Sequence, residues 1–331
     1  MKKTVVGFDI GSSHLKVAVI KKKVVRVHAV PLPENLIKDG VIKLPALMTD
    51  FLKEVKKEYK IKSGPCGIIL PDALTIYRSM TLPPMTEKQL GLNLPFEFND
   101  YISDEPENYV YDYSVQELVR DAEGEVTEMK LVAAAASKEK VMEYTNIFKN
   151  AGFRVQTVLP QEVAVTNLLK NAIAVGKADA DKEYCIINIG HFNTKVYILK
   201  GDALLVTRTI GMGGSDFDKA IAENENVDIF MASTYKNTNY NDILEKEYVR
   251  EIFTKLTLEI IKVLNYYYFN NRNSALDRVY FAGGTSNITA LCHSIADATN
   301  LVYKPITRLL PEKMDETEAA NGILAIGLLM Q

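Results

Sequence analysis

One local pattern occurs twice in this chain and constrains its fold more than any other feature. An apolar strand runs into a polar turn carrying a glycine, and the chain returns as a second apolar strand. The first copy is Asp9-Ile10-Gly11-Ser12-Ser13-His14-Leu15-Lys16, between strands predicted over residues 4–8 and 15–20. The second is Asn188-Ile189-Gly190-His191-Phe192-Asn193-Thr194-Lys195, between strands predicted over 184–189 and 195–199. A weak repeat at this scale predicts duplicated α/β halves. Ligands in such folds sit at the ends of the strands, between the halves.

The remaining segments fit that frame. Residues 44–59 have helical spacing, with Leu47, Phe51, Leu52, Val55 and Tyr59 on one face. Residues 66–70 read as a buried strand ended by Pro71. Pro83-Pro84 is the clearest break in the first half, and the segment after it turns acidic and aromatic. Residues 109–115 and 128–136 read as strands, and Ser137 caps a helix running to Asn150 before Gly152. These features predict a small inserted α/β subdomain over 84–157. A helix follows over 162–175. The strand over 204–210 ends at Gly211-Met212-Gly213-Gly214, and 248–269 carries one long apolar stripe. A strand over 279–282 leads through Gly283-Gly284-Thr285-Ser286-Asn287 into a helix. The expected organisation is a first lobe over 1–83 with 158–183, the insert, and a second lobe over 184–331 with a helical part near 212–270.

Composition removes several function classes. The 331 residues carry a net charge of -3, so no positive field is available to hold a nucleic-acid backbone. Cys66, Cys185 and Cys292 stand far apart without a Cys-x-x-Cys pair, which argues against a thiolate metal site and fits the reducing cytoplasm. The N-terminal residues lack the apolar run of a signal peptide. The most apolar stretch near the other end, 322–330, is about half of what spans a bilayer. The expectation is a cytoplasmic protein with no direct membrane insertion, able to dock to a membrane through a partner.

The turns carry the chemistry. Gly11 lets backbone approach a ligand, the N–H groups of a tight hairpin form an anion nest, and Ser12 and Ser13 add hydroxyl donors. Lys16 reaches back as a point charge. Asp9 is placed to hold the waters of a hydrated Mg²⁺, which keeps several waters when bound to phosphates. Asn188, Gly190, Asn193 and Thr194 repeat the design, while His191 has no second histidine nearby. Gly283 and Gly284, with Ser286 as a hydroxyl cap, place a helix N-terminus against a ligand. Neither Gly-x-Gly-x-x-Gly nor a Walker A sequence accounts for these loops. Taken singly, each reads equally well as an ordinary polar turn; all three in one chain carry the argument.

In this order the three turns resemble the nucleotide-binding motifs of the actin, Hsp70 and sugar-kinase superfamily. Asp9, Gly11 and Lys16 match the first phosphate loop, Gly190 and Thr194 the second, and Gly283 and Gly284 the adenosine loop. The small-residue run 319–325 looks like the last connecting helix. A narrower resemblance rests on Met85-Thr86-Glu87-Lys88-Gln89, Leu94-Pro95-Phe96-Glu97, Tyr111-Asp112-Tyr113-Ser114-Val115, Leu131-Val132-Ala133-Ala134-Ala135 and Ala151-Gly152-Phe153. These segments resemble the type IV pilus assembly protein PilM family, related to FtsA. The resemblance implies an α/β, actin-like (ribonuclease H-like) two-lobed fold with an inserted subdomain. It implies ATP and Mg²⁺ as cofactors, with Gly213, Gly214 and Lys236 also at the nucleotide. It further implies a scaffold at the inner face of the membrane, recruiting the short N-terminal peptide of a single-pass, PilN-like membrane protein. Leu94, Phe96 and Tyr101 would offer that surface.

The chain departs from the superfamily pattern at charged positions. Asn188 stands where the second loop usually opens with Asp. The family's Asp-x-Glu reads Leu159-Pro160-Gln161, with Gln161 able to orient a water, and Glu162 is one residue off. Lys236 is kept, but the acid before it is replaced by Ser233. Nucleotide binding with slow or absent hydrolysis is the expectation. Two alternatives stay open: an FtsA-like, self-associating filament protein, and a small-molecule kinase using Asp216 or Asp218 as base. Asp218 also reads as a capping residue after Ser215 as N-cap.

Overall fold

The computed structural model describes residues 6–21, 24–311 and 313–330. In chain order the strands are β1 (Val6–Ile10), β2 (His14–Lys21), β3 (Val24–Pro31), β4 (Ile37–Lys38) and β5 (Val41–Ile42). After helix α1 (Pro45–Glu58) come β6 (Gly64–Ile69), β7 (Thr75–Leu82), α2 (Glu87–Glu97), β8 (Tyr109–Arg120) and β9 (Val126–Ser137). They are followed by α3 (Lys138–Asn150), β10 (Phe153–Leu159), α4 (Gln161–Ala174), β11 (Glu183–Ile189), β12 (Thr194–Lys200) and β13 (Ala203–Ile210). The rest comprises α5 (Gly214–Glu225), α6 (Ile229–Thr238), α7 (Glu247–Asn270), β14 (Arg278–Ala282), α8 (Thr289–Thr299), β15 (Val302–Tyr303) and α9 (Glu316–Leu328). The chain divides into two compact units, Met1–Ile10 with Leu32–Gln161 and Gly11–Pro31 with Glu162–Gln331.

The first unit contains three sheets, the smallest being the antiparallel pair β4–β5. β10, β6 and β1 pair in parallel, with Gly7 opposite Gly67 and Leu159 opposite Ile69. All five residues of β1 are buried, the charged Asp9 included, as in a strand covered on both faces. The expected strand start at Thr4 and Val5 lies outside the described residues. In α1 the buried face is Met48, Phe51, Leu52 and Val55; Leu47, expected on it, is exposed, and Tyr59 is the C-cap. Met48, Leu52 and Val55 follow one another at four- and three-residue steps, so the true stripe begins one residue later than expected.

The second sheet of this unit is antiparallel in the order β7-β9-β8. Leu82, Met129, Leu131, Ala133 and Ala135 form its covered face, against Leu90, Leu94 and Phe98. Thr86 and Gln89 cap α2 reciprocally, the Gln89 N–H donating to Thr86 Oγ1 and the Thr86 N–H to Gln89 Oε1. Ser137 caps α3 as expected, accepting from the Lys140 N–H, and Gly152 follows with a φ of +89°.

The second unit holds the hairpin β2–β3 and a sheet in the order β13-β12-β11-β14-β15. β11 and β12 are antiparallel, with Ile189 opposite Thr194. β14 lies parallel to β11, with Asn188 opposite Ala282. The α7 stripe is buried as expected through Val249, Ile252, Phe253, Leu256, Ile260, Leu264 and Tyr267, with Val263 half-buried. Glu251 and Lys255 approach to 3.5 Å on its exposed face, a pair of little weight in water.

α9 is the most deeply buried helix of this unit. A Cβ on Gly322 would lie 2.5 Å from Val27 Cγ2, and one on Gly327 would overlap the Ala164 carbonyl of α4. Small residues here are therefore a contact requirement. Alanine at 327 gains about 1 kcal/mol of helix propensity but forces the α4–α9 contact apart. Gly327→Ala is expected to lower stability by about 1–3 kcal/mol, read as a lower denaturation midpoint at unchanged slope.

Candidate functional site

The two repeated turns have the same backbone. The Gly11 N–H donates to the His14 carbonyl at 3.1 Å, and the Gly190 N–H donates to the Asn193 carbonyl at 2.8 Å. A Cβ on either glycine would meet that carbonyl at 2.9 Å, so both positions exclude a side chain. Both turns lie in the second unit. In the first turn the Lys16 ammonium lies over Gly11, and Ser13 Oγ is 3.0 Å from His14 Nδ1. Asp9, buried, ends two residues before Gly11. Gln161 is the first residue of α4.

The second turn is locked to the glycine loop after β13. The Gly190 carbonyl accepts the Gly214 N–H at 2.9 Å, and the His191 carbonyl accepts the Ser215 N–H at 2.7 Å. Side chains at Gly213 or Gly214 would strike Gly190 and His191 carbonyls or Thr285 Oγ1. Gly213, not Ser215, is the N-cap of α5, and its N–H donates to Asp216 Oδ2 at 2.8 Å. The first N–H groups of α5 are thus used inside the protein. Thr194 is wholly buried and donates to the Met212 carbonyl at 2.9 Å. Sequence placed its hydroxyl at the ligand; the structure gives it to the fastening of two loops.

The third loop closes the set. Thr285 Oγ1 donates to the same Gly190 carbonyl at 2.8 Å. Gly283 has a φ of +87°, and a Cβ there would collide with the Ile189 carbonyl and lie 2.5 Å from Asn188 Oδ1. Its N–H donates to the Ala320 carbonyl of α9 at 2.8 Å. Ser286 Oγ donates to the Gly283 carbonyl at 2.7 Å. Ser286 is therefore no helix cap: residues 284–287 form one 3₁₀ turn, and α8 starts at Thr289 behind Ile288. Gly284 faces Asn321 Oδ1, 3.6 Å from its would-be Cβ.

Two buried ion pairs flank the loops. Lys236 Nζ lies 2.6 Å from Asp218 Oδ1 and donates to the Gly214 carbonyl at 3.1 Å. Asp218 is thus a partner of Lys236 rather than a helix cap, with His191 Nδ1 at 3.8 Å. Asp216 and Asp218, the two candidate bases of a kinase, both hold structural partners. Lys195 Nζ lies 2.6 Å from Glu162 Oε1, and both residues are 5 % exposed. Burial, then the Lys16 charge, hold the His14 imidazole below its usual pKa; burial also depresses His191, against the opposing pull of Asp218. Both shifts favour the neutral ring. The three cysteines are free and buried, and among the described residues no group of His, Cys, Asp and Glu is arranged to hold a metal.

Sequence reasoning missed Thr285, Asp216 and the Lys195–Glu162 pair as organising groups. The only signal for Lys195 was its place five residues after Gly190, matching Lys16 after Gly11. Removing one partner of such a buried pair strands a charge. Lys195→Met is expected to cost about 3–5 kcal/mol, while Lys195→Met with Glu162→Leu recovers most of it; thermal unfolding of the two variants checks this.

No curated protein matches the sequence. Among solved structures, the fold is similar to that of the "PilM-PilN type IV pilus biogenesis complex", with a TM-score of 0.83, 23 % identity, and 99 % of this chain and 98 % of that chain covered. It is similar to ethanolamine utilization protein EutJ from Carboxydothermus hydrogenoformans at a TM-score of 0.59 and 15 % identity, covering 98 % and 89 %. It is also similar to MreB5 of Spiroplasma citri bound to ADP, at 0.51 and 16 %, covering 92 % and 91 %. The fold is α/β and actin-like, with two lobes. The family described as type IV pilus assembly protein PilM matches residues 7–325, and the chain belongs to that family.

Proposed function

We propose that this pilus-assembly protein is an ATP-binding scaffold that recruits a membrane partner through a short peptide. The observation that carries nucleotide binding is the matched pair of glycine turns, built alike, the second of them locked to the Gly283–Gly284 loop within one unit. Gly11, Ser12, Ser13 and Lys16 hold the phosphates, with Gly190 and Asn193 of the second turn. Gly283, Gly284 and Ser286 shape the adenosine end, braced by Gly213, Gly214 and Lys236, while Thr194 fixes the second turn from within. Asp9 supplies the single carboxylate a hydrated Mg²⁺ accepts beside phosphates; Asn188 adds a neutral amide. Mg²⁺ would neutralise phosphate charge there. Gln161 is the water-orienting residue, and with one carboxylate in place of two, turnover is slow or absent. Residues 84–157 are the inserted subdomain.

The partner face lies on α2. Leu94, expected there, is instead buried in the subdomain core, as part of the apolar face over β9. Leu92 and Phe96, at four-residue spacing, are 66 % and 72 % exposed, and Tyr101 is 51 % exposed. The Arg78 guanidinium stacks over the Tyr101 ring at 3.8 Å and donates to the Glu97 carbonyl at 3.1 Å. This apolar face with one fixed cation suits a peptide carrying apolar anchors, and the similar PilM–PilN complex supports a PilN-like source. Among the described residues no helix is long and apolar enough to cross a membrane, so the partner supplies the attachment.

Two measurements test these readings. Titration calorimetry with ATP and Mg²⁺ is expected to show saturable binding, weakened about tenfold (about 1.4 kcal/mol) or more by Lys16→Ala; absence of heat and of thermal stabilisation sinks the nucleotide reading. The N-terminal peptide of a PilN-like membrane protein is expected to bind the wild type, with affinity lowered about tenfold or more by Phe96→Ser. Unchanged affinity places the peptide elsewhere.

A further inference from the structure

A second group of chemistry-bearing side chains lies at the opposite end of β11 from its glycine turn. The strand runs from Glu183 to Ile189, and the turn follows its C-terminal end. At about 3.3 Å per residue, the start of the strand is roughly 20 Å from that turn. There a cavity of about 540 Å³ opens between the loop that follows α4 and the first residues of β11 and β14. Its lining includes Lys177, Asp179, Lys182, Tyr184, Arg278 and Tyr280. All of these belong to the second unit, and the volume suits a small molecule.

The loop at the rim is held from beneath. The Tyr184 hydroxyl accepts the Asp179 N–H at 2.7 Å and donates to the Asp179 carbonyl at 3.1 Å. The Gly201 N–H donates to the Lys182 carbonyl at 2.9 Å, and a Cβ on Gly201 would lie 2.5 Å from the Ala180 carbonyl oxygen. Lys177 Nζ donates to the Leu310 carbonyl. Asp179 turns its own carboxylate inward to the loop, Oδ1 accepting the Asp181 N–H at 3.0 Å. Tyr184 and Tyr280 are buried below, their ring centroids 6.2 Å apart. A rim fixed in this way orders little further when a ligand arrives.

Charge selects the ligand. Lys177, Lys182 and Arg278 share this cavity with a single lining carboxylate, on a chain whose net charge is -3. Like charges gathered in one place repel, and a bound anion removes that repulsion. Arg278 forks onto Asp277 through Nε at 2.5 Å and Nη2 at 2.8 Å. That pair uses two of the guanidinium's five N–H donors and fixes its plane. The Lys182 side chain is exposed at the rim. Burial raises the Tyr280 pKa against the opposing pull of Arg278, so the phenol keeps a proton to donate. We propose that this cavity binds a small polyanion, with its carboxylate or phosphate groups held by Lys182 and Arg278. The site is separate from the glycine loops and does not depend on their binding nucleotide.

The test is calorimetric titration of citrate and of pyrophosphate, at pH 7 and fixed ionic strength, into the wild type and Lys16→Ala. Lys182→Met and Arg278→Met are made in both backgrounds, with thermal unfolding of each protein as a folding control. Methionine keeps an apolar stem and removes the charge. At least one probe is expected to bind saturably in both backgrounds. Lys182→Met and Arg278→Met are each expected to weaken that binding about tenfold, as for a lost hydrogen bond to a charged group. Citrate binding by this criterion assigns carboxylate ligands, and pyrophosphate binding assigns phosphate ones. If Arg278→Met does not fold, Lys182→Met, which alters an exposed side chain, decides. The absence of saturable binding by either probe overturns the proposal, as does binding that a folded cavity variant leaves unchanged. Pyrophosphate binding that only Lys16→Ala weakens belongs to the glycine turns; it overturns this proposal and leaves the nucleotide reading intact.

Discussion

The carbonyl of Gly190 is the point on which the site depends. It accepts two hydrogen bonds, from the Gly214 N–H at 2.9 Å and from Thr285 Oγ1 at 2.8 Å. A carbonyl oxygen has two lone pairs, and here each is committed to a different loop. Three segments far apart in sequence are thereby fixed to one atom. The constraint spreads outward through Lys236 to the Gly214 carbonyl and through the Gly283 N–H to the Ala320 carbonyl of α9. Glycines at 213, 214 and 283 are required because the backbone packs at distances no Cβ tolerates. The loops are first of all scaffolding for each other.

Duplication explains why two turns share a backbone, and divergence appears in the charges around them. Lys16 rests over its own glycine; Lys195 is paired to Glu162. Buried pairs such as Lys195–Glu162 and Lys236–Asp218 give up hydration that their attraction only partly returns. Their effect is to fix which ammonium points where. The backbone of the two turns is the same while the charged groups around them differ.

Much of this was legible from sequence because the features are local. A glycine after an apolar strand marks both turns, the 3.6-residue stripe marks α7, and the Ser137 and Gly152 signals bracket α3. What was not legible depends on partners distant in sequence. The hydroxyl of Thr194 looks available until Met212 is brought beneath it. Ser215 has the chemistry of an N-cap, yet Gly213 takes that place because its N–H meets Asp216 and its small size lets α5 dock on Gly190. Ser286 likewise bonds back to Gly283, and α8 starts later. Leu47 and Met48 differ by one step on the helix, which periodicity alone resolves poorly. β3, β7 and β10 were missed although each alternates over four residues (Val25-Arg26-Val27-His28, Ser79-Met80-Thr81-Leu82 and Phe153-Arg154-Val155-Gln156), too short a run to stand out.

Helix α2 shows how one short element serves both stability and the proposed recruitment. Leu90, Leu94 and Phe98 recur at four-residue steps and are buried over β9. Leu92 and Phe96 recur at the same step but are exposed. At 3.6 residues per turn, a displacement of two residues rotates a side chain about 200° around the axis, so the helix carries two apolar stripes on opposite sides. The core needs only one. The Arg78 guanidinium is spent on the Glu97 carbonyl and the Tyr101 ring, which fixes the end of the helix and holds an aromatic face in the open. An apolar stripe that stability does not require, on a helix anchored at both ends, is a rigid surface. A peptide that docks there loses its own freedom but orders little of the protein, and preorganisation of this kind lowers the cost of binding.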